Sequence, residues 1–183
     1  MKLMVLKYFN LWLAFFKNSL TRDMEFKMNF IGDLLIDSIF YGSMYFFWSV
    51  IFSYVDVLGD FNQQAVVIFL VVMYLTDTVF VFFFGANTFT LNTMVVKGEL
   101  DFVLIKPVNP QFFLSFRYVS SYSIISFLIL FSLLLKLVYD YHGFISILSL
   151  LLFLLSFIFG ILIFYCVEFI ISCLVFWYRN FSV

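Results

Sequence analysis

Four long runs of apolar residues, separated by short polar clusters, constrain this chain more than any motif in it. A bilayer core of about 30 Å asks for about 20 mostly apolar residues in helix. Runs that meet this requirement extend over 29–54, 65–87, 117–139 and 143–177. They are dominated by Phe, Leu, Ile and Val and lack the ten-residue alternation of membrane β-strands. Helix is also the economical way for a lipid-buried backbone to satisfy its own polar groups. Composition excludes the soluble alternative. The 183 residues are 65% hydrophobic and 11% charged, against roughly 25% charged in a soluble domain, and so short a chain cannot hide that much apolar surface in one core. The sequence therefore predicts an all-α integral membrane protein, a single transmembrane domain over 1–183, with an N-terminal interfacial helix over 1–28 and about four transmembrane helices.

Orientation follows from where the positive charges fall. Lys2, Lys7, Lys17, Arg22 and Lys27 precede the first run, and Lys97, Lys106 and Arg117 lie between the second and third. The links Asp56–Asp60 and Asp140–Gly143 carry no lysine or arginine, with Lys136 on the flank of the latter. Positive charge on alternate sides predicts a cytoplasmic N-terminus and a cytoplasmic segment over 88–116. The formal net charge of −1 supplies no basic field for nucleic acid. The first 28 residues have Lys7 inside the apolar stretch and more charge after it, so they do not read as a cleaved signal peptide. Leu3, Leu6, Phe9, Leu13 and Phe16 recur at helical spacing, which predicts a helix lying in the membrane interface or, alternatively, an uncleaved anchor. From Gly143 to Trp177 a straight helix would reach roughly 52 Å, so this segment tilts, bends or leaves the membrane, with Glu168 the natural place for a change. Phe176, Trp177, Tyr178 and Arg179 suit an interface.

Few side chains here can do chemistry. Asp77, near the middle of the second run, carries an insertion cost of about 2.5–3.5 kcal/mol; it reads either as a pathway group or as an acid hydrogen-bonded by neighbouring Thr. Glu168 poses the same choice. Asp33 and Asp37, four apart, share a helix face near an N-terminus, where the helix dipole favours them, with Arg22 or Lys27 as nearby partners. Cys166 and Cys173 have neither disulfide nor metal spacing, and His142 reads as a solvated loop residue. Gly42, Ser43, Gly85, Ala86 and Gly160 could let helices approach closely. There is no H-E-x-x-H, no G-x-S-x-G and no phosphate-cradling G-x-x-x-x-G-K-[ST], which argues against an intramembrane enzyme and against an ATPase within this chain.

The informative stretch is Thr93 to Pro110. An amphipathic turn places Leu100, Val103 and Leu104 on one face and Lys97, Glu99, Asp101 and Lys106 toward water, before Pro107 and Pro110 end any helix. Gly98-Glu99-Leu100-Asp101, then Leu104, then Lys106-Pro107-Val108-Asn109-Pro110, resembles the G-x-L-D-x-x-L-x-[KR]-P-[VL]-N-P signature of the type 2 ATP-binding-cassette (ABC) transporter permeases, in their bacterial efflux branch. The order of elements is similar too: a basic interfacial helix, two spans, this segment, two more spans and an aromatic Phe-Trp pair.

The resemblance implies the membrane permease subunit of an ABC exporter in a bacterial inner membrane, embedded in lipid. It further implies a second permease subunit, the same or different, and separate ATPase subunits that use ATP, with no cofactor bound by this chain. Gly98, Glu99, Leu100, Asp101, Lys106 and Pro107 would then form the ATPase-docking coupling segment, with Asp77 and Glu168 as candidate pathway residues. Members of that family usually continue for two further spans, whereas this chain ends at Val183 after four. A non-transporting scaffold or shortened remnant of such a permease is therefore the alternative.

Overall fold

The structure is a computed structural model that describes residues 2–141 and 146–177. His142, Gly143, Tyr178 and Arg179 lie outside the described residues, as do the side chains of Lys2 and Leu3. Helix α1 (Lys2–Glu25) breaks at Phe26 and is followed by α2 (Lys27–Phe52). A short antiparallel hairpin, Val57–Leu58 against Phe61–Asn62, turns through Gly59 at φ +63°, a left-handed conformation that glycine adopts without steric cost. The Asn62 side chain then caps α3 (Gln63–Phe80) by accepting the Ala65 N–H at 2.9 Å. A widened π turn, Val81–Gly85, joins α3 to α4 (Ala86–Lys97). Short helices α5 (Asp101–Leu104) and α6 (Pro110–Phe116) follow, then α7 (Ser123–Tyr139) and α8 (Ile147–Cys173), which ends in a 3₁₀ turn, Leu174–Phe176.

Among the described residues, Lys27–Phe52, Gln63–Lys97 and Ile147–Phe176 are long and apolar enough to cross a membrane. Ser123–Tyr139 is apolar but shorter, at 17 residues, or about 25 Å of helix. The protein is thus the all-α membrane protein that its hydropathy demands. Several details differ from the sequence reading. Helix α8 runs unbroken through Glu168, because a half-buried side chain does not interrupt the ladder, and the Glu168 carbonyl also receives the Ser172 hydroxyl at 2.9 Å. The turn comes instead at Leu174. Nor do Gly42 and Gly160 mediate close helix approach: a Cβ at either would meet nothing within 4 Å, and one at Gly85 would touch only Val81 of its own turn.

The apolar core joins α3 to α7 through Leu70, Val71, Tyr74, Leu75, Leu130 and Leu134. Helix α8 docks by aromatic contacts, with Phe164 against Phe80 at 4.3 Å and Tyr165 against Phe84 at 4.5 Å. The Tyr165 hydroxyl also lies 2.7 Å from Ser115 Oγ on α6.

Helix α7 begins at Ser123, not at Arg117 where the apolar run begins. The backbone between α6 and α7 is irregular and buried, with Val119 fully enclosed. Its N–H groups are taken in turn by other elements. Tyr118 donates to Asn87 Oδ1 at 2.9 Å, Val119 to Ser19 Oγ at 3.0 Å, Ser120 to the Phe82 carbonyl at 3.3 Å and Ser121 to Asp23 Oδ2 at 3.2 Å. Asn87 Nδ2 also donates to the Tyr118 carbonyl at 2.6 Å and to the Phe83 carbonyl at 3.1 Å. Phe82 and Phe83 belong to the π turn, whose irregular ladder leaves carbonyls for such bonds. Removing the buried Asn87 amide by Asn87→Ala orphans both backbone polar groups of Tyr118. We expect a loss of about 2 kcal/mol of stability in detergent, and faster amide exchange confined to 118–121 by hydrogen–deuterium exchange.

Candidate functional site

Gly98 ends α4 with φ +72°, and its N–H donates to the Val95 carbonyl at 3.2 Å while the Glu99 N–H donates to the Met94 carbonyl at 2.8 Å. This paired closure satisfies the last carbonyls of a helix and calls for a residue that tolerates the left-handed region. The chain then makes the single turn of α5, passes Pro107, and restarts at α6, where Asn109 Oδ1 accepts the Phe112 N–H at 3.1 Å and Pro110 occupies the first turn. Pro110 suits that position because its missing N–H would have no intrahelical partner.

The signature residues are thereby brought into one compact element. Val103, 2% exposed, packs in a cluster with Met94 and Phe113, flanked by Leu100, Leu114 and Phe15. Leu104 departs from the expected face: it is exposed, together with Phe102 (67%) and Ile105 (79%). A single turn can direct only part of its apolar set inward, and the buried set here is Leu100 and Val103. The outward face therefore carries Phe102, Leu104 and Ile105 among the exposed Glu99, Asp101 and Lys106. Lys106 Nζ lies 4.1 Å from the Phe113 ring centre, and the Arg117 guanidinium stands 5.1 Å from the same ring. Stacked cations of this kind add roughly 0.5–1 kcal/mol at exposed positions.

Helix α1 supports this element from one side. Lys7 Nζ donates to the Pro107 carbonyl at 3.2 Å, and the Asn109 N–H donates to the Tyr8 hydroxyl at 3.1 Å. The Tyr8 ring meets Phe112 edge-on at 4.8 Å, and Phe15 meets Phe113 at 5.5 Å. Trp12 packs against Phe82 and Phe83 of the π turn. The inward stripe of Tyr8, Trp12, Phe15 and Ser19 was not singled out from the sequence. Of the stripe that was, Leu6, Phe9 and Leu13 are exposed, whereas Phe16 is half-buried and packs on Trp12 and Phe82. The missed signal was the polar and aromatic content of the second stripe, since Tyr and Trp combine an apolar body with a hydrogen-bonding tip.

Among the acids, Asp77 accepts from the Tyr41 hydroxyl on α2 at 3.3 Å, and that hydroxyl is also 3.3 Å from Thr78 Oγ1. Asp37 accepts from Ser126 on α7 at 3.1 Å, so its partner is a hydroxyl across the helix interface and not Arg22 or Lys27. Arg22 is engaged with Asp23 at 2.9 Å, its neighbour in α1, where the pair costs little ordering entropy. Asp33 lines a cavity shared with Arg22 and Asp23. Glu168 is half-buried on α8, and no described contact joins its carboxylate to Asp77.

With this arrangement in view, comparison with known proteins is decisive on family. A family model described as "ABC-2 family transporter protein" matches residues 38–182. The chain belongs to the ABC-2 transporter family. No curated protein and no solved structure matches it. The matched region contains the whole Gly98–Pro110 element and all described helices except α1 and the start of α2. A membership of this kind makes the protein a membrane component of a transporter and not itself an enzyme. If the left-handed turn at Gly98 shapes this ABC-2 element, Gly98→Ala lowers stability by about 1 kcal/mol, whereas Gly98→Asn retains most of it, as read by thermal unfolding in detergent.

Proposed function

We propose that the chain is the permease subunit of an ABC exporter and that the Gly98–Pro110 element docks a separate ATPase subunit. The observation that carries this reading is the outward face of that element: Phe102, Leu104 and Ile105 exposed beside Glu99, Asp101 and Lys106. Large exposed apolar side chains rimmed by charge suit a protein contact better than water. The inward side supports the same role. Leu100 and Val103 sit in a packed cluster with residues of α4 and α6, and α1 holds Pro107 and Asn109 by hydrogen bonds. Force applied to the outward face therefore reaches the helices through stiff contacts.

In this reading the N-terminus and the signature element lie on the cytoplasmic side of a bacterial inner membrane, where the ATPase consumes ATP. A second permease subunit, identical or related, completes the pathway, and the exposed apolar sides of α2 and α8 face it or lipid. Asp77 and Glu168 are the polar residues that the pathway would use. The alternative of a non-transporting scaffold predicts no nucleotide-dependent behaviour.

Co-purification of the tagged full chain in mild detergent tests the proposal. Wild type brings down an ATP-hydrolysing subunit, and the double variant Asp101→Lys, Phe102→Ala loses at least about tenfold of it, on the scale of one interface hot spot. The variant keeps its size-exclusion profile, because both side chains face outward. An undiminished yield of ATPase with that variant, or no ATPase with wild type, overturns the docking assignment.

A further inference from the structure

A cavity of about 460 Å³ lies between α2, α3 and α7, within the roughly 300–1,000 Å³ typical of small-molecule sites. Leucine, valine and isoleucine side chains form about half of its lining, and its polar groups are Asp37, Tyr41, Tyr74 and Ser126, with Ser38 and Tyr45 beside them. Asp37 is held by the Ser126 hydroxyl at 3.1 Å. Tyr41 stacks on Tyr74 with ring centres 4.4 Å apart and donates to Asp77 behind it at 3.3 Å. Among the described residues these carboxylates have hydroxyl partners and no cation. The ion pair among the described residues is Arg22–Asp23, and no lysine, arginine or histidine lines the cavity. Acids at membrane depth ordinarily pair with a cation or mark a pathway for one.

An independent observation points the same way. Tyr74 lines this cavity and is only 4% exposed, yet its hydroxyl finds no hydrogen-bond partner among the described residues. Buried tyrosine hydroxyls are normally paired, so this one leaves a spare hydrogen bond in the cavity wall. A metal ion held by several protein ligands is not what the lining suits. No group of three or more His, Cys, Asp or Glu able to hold a metal occurs among the described residues, and the walls are mainly apolar. A carboxylate, two stacked phenol rings and apolar walls together suit a positive charge on an apolar body, since aromatic faces attract cations. We propose that the α2–α3–α7 cavity binds an organic cation with apolar bulk, Asp37 meeting its charge and Tyr41 and Tyr74 its flanks. This assignment rests on the permease reading, and it names the substrate class that such a permease takes.

Equilibrium dialysis of the purified full chain with radiolabelled tetraphenylphosphonium tests it, with no ATPase present. Wild type binds the probe saturably. Asp37→Asn weakens binding by about tenfold or more, while Asp37→Glu, which restores the charge, recovers most of it. Tyr74→Phe has a smaller effect on this probe, which has no hydrogen-bonding group. Neutral triphenylphosphine oxide, of similar bulk, fails to displace the bound cation. The proposal is overturned if monodisperse wild type shows no saturable binding, if Asp37→Asn binds as tightly as wild type, or if the neutral compound competes equally. Loss of binding with ATPase co-purification intact rejects the cation site alone, and the converse rejects the docking assignment alone.

Discussion

Four consecutive peptide N–H groups, those of Tyr118 to Ser121, lie buried outside any helix, and the rest of the structure is arranged around pairing them. Their acceptors come from three places: Asn87 at the start of α4, the Phe82 carbonyl in the π turn, and Ser19 and Asp23 on α1. An orphaned buried donor costs about 1–3 kcal/mol. The link between α6 and α7 therefore cannot slide relative to α1 or to the π turn without losing bonds at several points together. Irregular backbone in a membrane protein is tolerated only where protein or a water-filled cavity surrounds it, and here α1 supplies one wall. That helix is thus a structural partner of the core, not an appendage. Once Ser19 and Asp23 fix its position, Lys7 and Tyr8 fall beside Pro107 and Asn109.

How much of this a sequence reveals depends on how local the governing interaction is. The helical membrane architecture was legible because lipid imposes a length and an apolar content that few other structures meet. The stop of the α5 turn before Pro107 was legible, but Pro110, read only as a helix stop, opens α6, and the left-handed close of α4 at Gly98 was not read from the sequence. Nor was the inward stripe of α1. That helix is apolar on two sides, and periodicity selects the side richer in Leu and Phe, of which Phe16 packs inward while Leu6, Phe9 and Leu13 are exposed. Leu104 was misassigned for a related reason: one turn has too few residues for its spacing to decide which apolar side chains are buried. Long-range hydroxyl partners escaped altogether. Ser126 reaches Asp37 and Tyr41 reaches Asp77 across helix interfaces, and nothing in the local sequence marks those pairings. The π turn had no signal beyond a run of phenylalanines.

The same network determines how a displacement would spread. A push on α5 is received by Val103 and passed to Met94 on α4 and Phe113 on α6. Helix α4 continues into α3 through Val81–Gly85, where the wider turn makes the backbone ladder weaker than in regular α-helix. Bending is therefore easiest there. Yet that turn is tied to the 118–121 link by the Ser120 to Phe82 bond, and Asn87 just beyond it grips Tyr118. A bend between α3 and α4 consequently carries the start of α7 with it. Ser126 sits one turn into α7 and holds Asp37, so the chain of contacts that begins at Gly98–Pro110 continues to the wall of the α2–α3–α7 cavity. The Gly98–Pro110 element and the cavity are distant in sequence, but a short chain of hydrogen bonds and packed rings connects them. Under the proposed function, an ATPase bound at the first alters the affinity of the second, and linkage requires the cation to alter ATPase binding by the same factor.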